Sequence, residues 1–228
     1  MCDVELLNYV ADRVRDFVVK VYEGARGRVP ISHDLTHVIR VSNVALKLGR
    51  VLGLNLRELK LLEIACYLHD IAIPLFGKED HASRSGEFAR KLLTDLGLCS
   101  ECVRIIVTAI SEHSWSSGLK PSNIISAILQ DADRLDALGV IGFARVIAYG
   151  AYLGRAIHDL TEVIPQSRPL MEDKYCVDHV FTKLIHLPNS MNFEVSKMIA
   201  RSRLERLMRL VNELEREVKG LDIVVDGT

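Results

Sequence analysis

The apolar positions of this 228-residue chain recur every three to four residues almost from end to end, the period of amphipathic helices. In VELLNYVADRVRDFVVKVY, Val4, Leu7, Val10, Val14, Phe17, Val18 and Val21 form one stripe, and Gly24 is placed to stop the helix. A second helix is expected over HDLTHVIRVSNVALKLGRVL, ending before Gly53. Asn55 and Glu58 have the spacing of a capping box for a third, which Pro74 is expected to close. HASRSGEFARKLLTDL, ECVRIIVTAISEH, NIISAILQDADRLDALGVIGFARVIAYG and YCVDHVFTKLIHL continue the helical period. EVSKMIARSRLERLMRLVNELEREV is the last long helix, with Ile199, Leu204, Leu207, Met208, Val211, Leu214 and Val218 on a core or dimer-seam face. The longest irregular stretch is HDLTEVIPQSRPLMEDK, residues 158–174, which could cover a site or be mobile. The tail LDIVVDGT, residues 221–228, reads as a strand or as irregular and disordered. With no repeat and no linker, the expectation is an all-α, single-domain helical bundle over residues 1–228.

Composition narrows what such a bundle does. A 49% hydrophobic chain of this length can bury a substantial core. A net charge of −1 and a pI near 6.7 argue against a nucleic-acid polymer as partner, which calls for a basic surface. No apolar run approaches the roughly 18–20 residues of a membrane span, and the acidic start MCDVELLNYV lacks a signal peptide's basic n-region. Five cysteines without framework spacing fit a reducing, cytoplasmic setting. Scarce glutamine and plentiful arginine resemble a heat-tolerant source, where an intracellular disulfide is permissible. Cys99 and Cys102 form a CxxC at a helix start, but without a second half this spacing argues against zinc, and no thioredoxin-like pattern surrounds it.

The stretch ACYLHDIAIP sets His69 and Asp70 in an apolar run, where both groups need a partner. His37 and an acid of LQDADRLDALG, Asp133 or Asp131, complete a candidate ligand set on three predicted helices. Imidazole with carboxylate suits Mn, Fe, Co, Ni or Zn, and Mg less well. Adjacent helix positions point about 100° apart, so His69 and Asp70 reach one ion only over the groove between them. An antiparallel bundle supplies the other ligands from neighbouring helices. Read alone, His69–Asp70 is better taken as a hydrogen-bonded core pair. The arginines 201, 203, 206 and 209 read as a solvated face, and Trp115 as a core anchor or a stacking surface.

The order His37, His69–Asp70, Asp133 resembles the HD-domain phosphohydrolase superfamily. HDLTHVIRV, LHDIA, DHASRSGEFARKLL, AISEHS, DADRLDALGVIGFAR and HVFTKLIHLPNSM follow in the order of one bacterial and archaeal branch of predicted HD hydrolases, some relatives of which are nucleotide pyrophosphohydrolases. The resemblance covers about residues 30–215. It implies one divalent metal on His37, His69, Asp70 and Asp133. Asp133 is preferred to Asp131 because a basic residue, Arg134, follows it. It implies hydrolysis of a small phosphorylated molecule, a nucleotide foremost, by metal-activated water attacking phosphorus. Asp70 could orient the water, with His113 or Asp34 assisting proton transfer. Arg134 and Lys183 match basic positions of the pattern and, with Arg145 behind them, are candidate phosphate partners.

His81 and His113 more naturally line the phosphate site, yet they are also the ligand type a second metal would need. The alternatives are a diiron oxygenase on the same helices and a non-catalytic nucleotide-sensing module. His33, at i, i+4 from His37, reads as a capping or surface residue, and Arg40 as an ion-pair partner. Sequence leaves open the substrate, the bond cleaved, the native metal and whether the chain is a monomer or homodimer.

Overall fold

A computed structural model describes residues 2–223, and its regular elements are helices apart from one isolated parallel bridge, Ala156 to Tyr175. The tail expected to be a strand or disordered lies outside the described residues from 224 onward. The helices fall into two compact units, residues 1–136 and 137–228.

The first unit holds α1 (Val4–Gly24), α2 (Leu35–Val51), α3 (Leu56–Leu68), α4 (Ala72–Phe76), α5 (His81–Asp95), α6 (Ser100–Glu112) and α7 (Ile124–Asp136). α3 is its axis and packs against α1, α2, α5, α6 and α7. Its Leu61, Leu62, Ile64, Ala65, Cys66 and Leu68 are buried on successive faces, which explains an apolar run with little amphipathic bias. Each fully buried leucine or isoleucine there contributes about 1.5–3 kcal/mol relative to exposure. Short side chains set the helix starts. Asp3 Oδ1 accepts from Leu6 N, and Asp34 Oδ1 accepts from Thr36 N and His37 N. Asn55 and Glu58 close the expected capping box.

Two predicted helices are each divided. α3 ends at Leu68 rather than at Pro74, and His69 to Ile71 form a turn. Pro74 sits inside the first turn of α4, where its missing N–H has no helical partner to lose. The helix expected over 123–150 becomes α7 and α8 (Gly139–Tyr152): Leu138 is extended and Gly139 takes a left-handed φ of +74°. At Gly86 of α5 a Cβ would run into Ser111 Oγ of α6, so these two helices meet closely. The neighbouring Ser85 Oγ accepts from Ala72 N at 3.0 Å, tying α5 to the start of α4.

The second unit comprises α8, the irregular chain after it, α9 (Asp178–Thr182), a 3₁₀ segment Leu184–Ser190 and α10 (Glu194–Val218). The last predicted stretch before α10 thus contains only one short α-helix. α10 packs on α8 and on the 3₁₀ segment, burying Ala200, Leu207 and Val211. Residues 158–174 are organised by an ion pair. Arg168 donates from Nη1 and Nη2 to the buried Asp178, both at 2.6 Å, and Met171 N donates to the same carboxylate at 2.7 Å.

Glu63 is the charged exception in α3. It is 7% exposed and accepts from Arg15 Nη2 at 2.5 Å and Lys60 Nζ at 2.8 Å. Burial alone would raise its carboxyl, but the bonds from Lys60 and Arg15 outweigh that and hold it below the ordinary 4.5. The resulting stabilisation is present above that ordinary value and is lost as pH falls through the lower folded value. Glu63→Gln is expected to cost about 1–3 kcal/mol at pH 7, with a smaller further loss than the parent on acidification below pH 4.5. Thermal melts across pH 3–7 check this, and parallel curves would contradict it.

Candidate metal centre

Four imidazoles and two carboxylates meet inside the first unit. α2 brings His37 from its first turn, and the turn after α3 brings His69 and Asp70. His81 opens α5, His113 follows the last residue of α6, and Asp133 lies on α7. Asp70 is held from behind: its carbonyl accepts from Tyr22 Oη at 3.2 Å and from Ile73 N at 2.9 Å.

Three of the rings are fixed by one local device. His69 Nδ1 lies 2.7 Å from Cys66 O, His113 Nδ1 lies 2.6 Å from Ile110 O, and His81 Nδ1 lies 3.1 Å from Lys78 O. Each partner is the carbonyl three residues earlier, and for His69 and His113 it belongs to the last turn of a helix. A carbonyl only accepts, so Nδ1 carries the proton and Nε2 turns its lone pair inward. His37 is fixed from a distance instead: its Nδ1 lies 2.8 Å from Asp136 Oδ2. Arg40 grips the same carboxylate through Nε at 2.7 Å and Nη2 at 3.0 Å, as an ion-pair partner.

The Nε2 atoms surround Asp70. On one side, Asp70 Oδ2 is 3.5 Å from His37 Nε2 and 3.6 Å from His69 Nε2, and Asp133 Oδ1 is 3.5 Å from His37 Nε2. On the other, Asp70 Oδ1 is 3.3 Å from His113 Nε2 and 3.5 Å from His81 Nε2. His37 and His69 oppose their Nε2 atoms at 3.3 Å. Asp70 Oδ1 is buried and makes no hydrogen bond. Burial pushes His69 down to about 4, leaving it neutral at neutral pH. Burial alone would raise Asp70, but the surrounding histidines, His69 foremost, hold it well below the carboxylate range. Lone pairs facing one another around ionised carboxylates fit a cation among them, and the N/O donor set matches a borderline divalent metal. His37, His69 and Asp70 form one three-ligand group and Asp70, His81 and His113 another.

The remaining predicted residues are placed as follows. Asp34 caps α2, with its Oδ1 also accepting from Thr36 Oγ1. Asp131 is fully buried on α7, whereas Asp133 is the acid that faces His37. Arg134 is buried and donates to Gln130 Oε1 at 3.0 Å, while Gln130 Nε2 donates to Glu112 O and Leu119 O. Arg145 lies on α8 and Lys183 follows α9, both half-buried in the second unit. His33 is in a 3₁₀ turn with its Nδ1 2.9 Å from Ser32 Oγ, and Trp115 is half-buried in another. Asp136 is the residue whose role sequence did not indicate, because its partner His37 is 99 positions away.

Residues 34–138 match the HD domain family, a span that contains all six converging residues. YpgQ of Bacillus subtilis, in its crystal structure in complex with ADP, is similar at a TM-score of 0.70 and 26% identity, over 96% of this chain and 100% of that one. An HD-superfamily hydrolase of Bacillus thuringiensis is similar at a TM-score of 0.68 and 28% identity, over 92% and 97%. L803 of Acanthamoeba polyphaga mimivirus is 27% identical over 184 residues, 68% of this chain and 75% of that protein. The fold is a helical one whose His/Asp cluster could hold a metal ion. Residues 34–138 carry the HD domain, and the chain is similar in fold and sequence to HD-superfamily hydrolases. Among the described residues no single helix is long and apolar enough to cross a membrane.

Because Asp136 sets the His37 tautomer, Asp136→Asn is expected to weaken binding of Mn²⁺ by about 10–100-fold with helicity retained. Calorimetric titration alongside circular dichroism checks this, and unchanged affinity would show that His37 needs no such support.

Proposed function

We propose that this chain hydrolyses a small phosphorylated molecule, a nucleotide, using a divalent metal held by His37, His69, Asp70 and Asp133. The observation that carries the reading is the convergence of Nδ1-anchored imidazoles on Asp70, whose Oδ1 is buried without a hydrogen bond. A metal bound there supplies a water of lowered pKa and charge to neutralise phosphoryl oxygens. Asp70 would orient that water, and His113, on the Oδ1 side, would carry a proton at Nε2, with Asp34 the alternative. His81, beside His113 with ring centroids 5.2 Å apart, would contact the substrate phosphate. The family resemblance assigns further phosphate contacts to Arg134 and Lys183, with Arg145 behind them. The nucleotide reading is supported by YpgQ, whose structure holds ADP.

A second reading rests on the split of Asp70 between two groups of imidazoles. Asp70, His81 and His113 could hold a second ion, making the centre binuclear. Elemental analysis separates the two, at one or two metals per chain.

Asp133→Ala is expected to remove the bound metal and to lower nucleotide hydrolysis by about 100-fold or more while leaving helicity intact. Asp131→Ala should retain metal, and the reverse pattern would transfer the ligand role to Asp131. Arg134→Ala and Lys183→Ala are each expected to raise KM for phosphate substrates. Unchanged kinetics in both would remove them from substrate binding.

A further inference from the structure

Three cysteines meet well away from the histidine cluster. Cys2 precedes the Asp3 cap of α1, Cys99 is the residue before α6, and Cys102 lies in its first turn. Cys2 Sγ is 2.9 Å from Cys99 Sγ, Cys99 Sγ is 3.4 Å from Cys102 Sγ, and the three sulfurs lie within 4.8 Å of one another. Cys99 and Cys102 lie at the start of α6 and His113 just past its end, roughly 16–21 Å apart by helical rise.

We propose that Cys2, Cys99 and Cys102 form a second, independent cation site, for a thiophilic ion of the zinc(II) class. Sulfur-only ligation selects soft or borderline cations, unlike the N/O set around Asp70. In a tetrahedral zinc–thiolate centre the bond is about 2.3 Å, which places sulfurs about 3.8 Å apart. The 2.9 and 3.4 Å separations therefore widen by less than about 1 Å to accept an ion. Three thiolates around a divalent ion leave one net negative charge, and positive groups already face it. Arg57 Nη2 donates to Cys102 Sγ at 3.3 Å, and Cys99 N donates to Cys2 Sγ at 3.0 Å. The start of α6 adds its partial positive charge. Cys2 and Cys102 are buried while Cys99 is half-exposed, so the fourth position faces solvent, where a water completes the tetrahedron. The CxxC seemed to lack its other half because the missing ligand is 97 residues away. Three converging sulfurs favour a cation over a disulfide, which uses two and leaves the third without a role.

The test uses the full chain, reduced and stripped of metal, titrated with Co²⁺ and then Zn²⁺. Nitrogen and oxygen donors give no thiolate-to-cobalt charge transfer, so that near-ultraviolet band reports only the thiols. The expected result is a band saturating at one Co²⁺ per band-forming site, bleached by Zn²⁺ and retained in His37→Ala. Cys2→Ser, Cys99→Ser and Cys102→Ser should each weaken it by at least about tenfold in affinity. Bound Zn²⁺ should also raise Tm of the parent and not of Cys2→Ser, since the ion pins the chain start to α6. Absence of the charge-transfer band in folded, reduced protein overturns the proposal. So does loss of two free thiols to glutathione disulfide without any metal uptake by the reduced form, which would make the cluster a disulfide site. Loss of hydrolysis in His37→Ala leaves this test unaffected.

Discussion

The structure turns on the repulsion that would exist between Nε2 lone pairs if nothing positive lay among them. His69, His81 and His113 are each locked by a carbonyl three residues back, and His37 by Asp136, so none can turn its proton toward the others without losing that bond. The two carboxylates bring negative charge to the same place. A bound cation and the fixed tautomers would be complementary: the backbone disposes the lone pairs, and an ion would make their proximity favourable. The polar outer partners stiffen the side chains that would ligate such an ion.

The surrounding fold serves that arrangement. α3 is buried from Leu61 to Cys66 and at Leu68, which backs the turn that follows it. Leu68 ends the helix, the chain turns through His69 to Ile71, and the side chains of His69 and Asp70 emerge from the end of a packed helix. Tyr22 of α1 secures the Asp70 carbonyl freed by that turn, and burial pushes the Tyr22 phenol up so that it stays a donor. An unbroken helix through Pro74 would have put His69 and Asp70 on a regular spiral with no such support.

How much of this was legible depends on range. The α-class, the α1 stripe, the Asn55–Glu58 box and the His69–Asp70 pair could be read because each is a local pattern. The turn before α4 was missed because Pro74 was read as a stop, when a first-turn proline is a start. Gly139 was passed over inside an apolar run, although its left-handed φ follows the extended Leu138 at the break between α7 and α8. Asp136 and Cys2 were illegible for a different reason. Their partners are 99 and 97 residues distant, and only tertiary packing brings them together. The i−3 carbonyl device was within reach of sequence, since a histidine ending a helix has a last-turn carbonyl at that spacing.

Gly86 carries a consequence beyond its own helix. Gly86 stands five positions after His81, and any larger substituent there would strike Ser111, two positions before His113. The spacing of α5 from α6 therefore fixes how near those two imidazoles come to the same carboxylate oxygen. A single absent methyl group acts as the gauge of the Oδ1 half of the cluster, and the aperture there is set by how closely Gly86 meets the Ser111 side chain rather than by the imidazoles themselves.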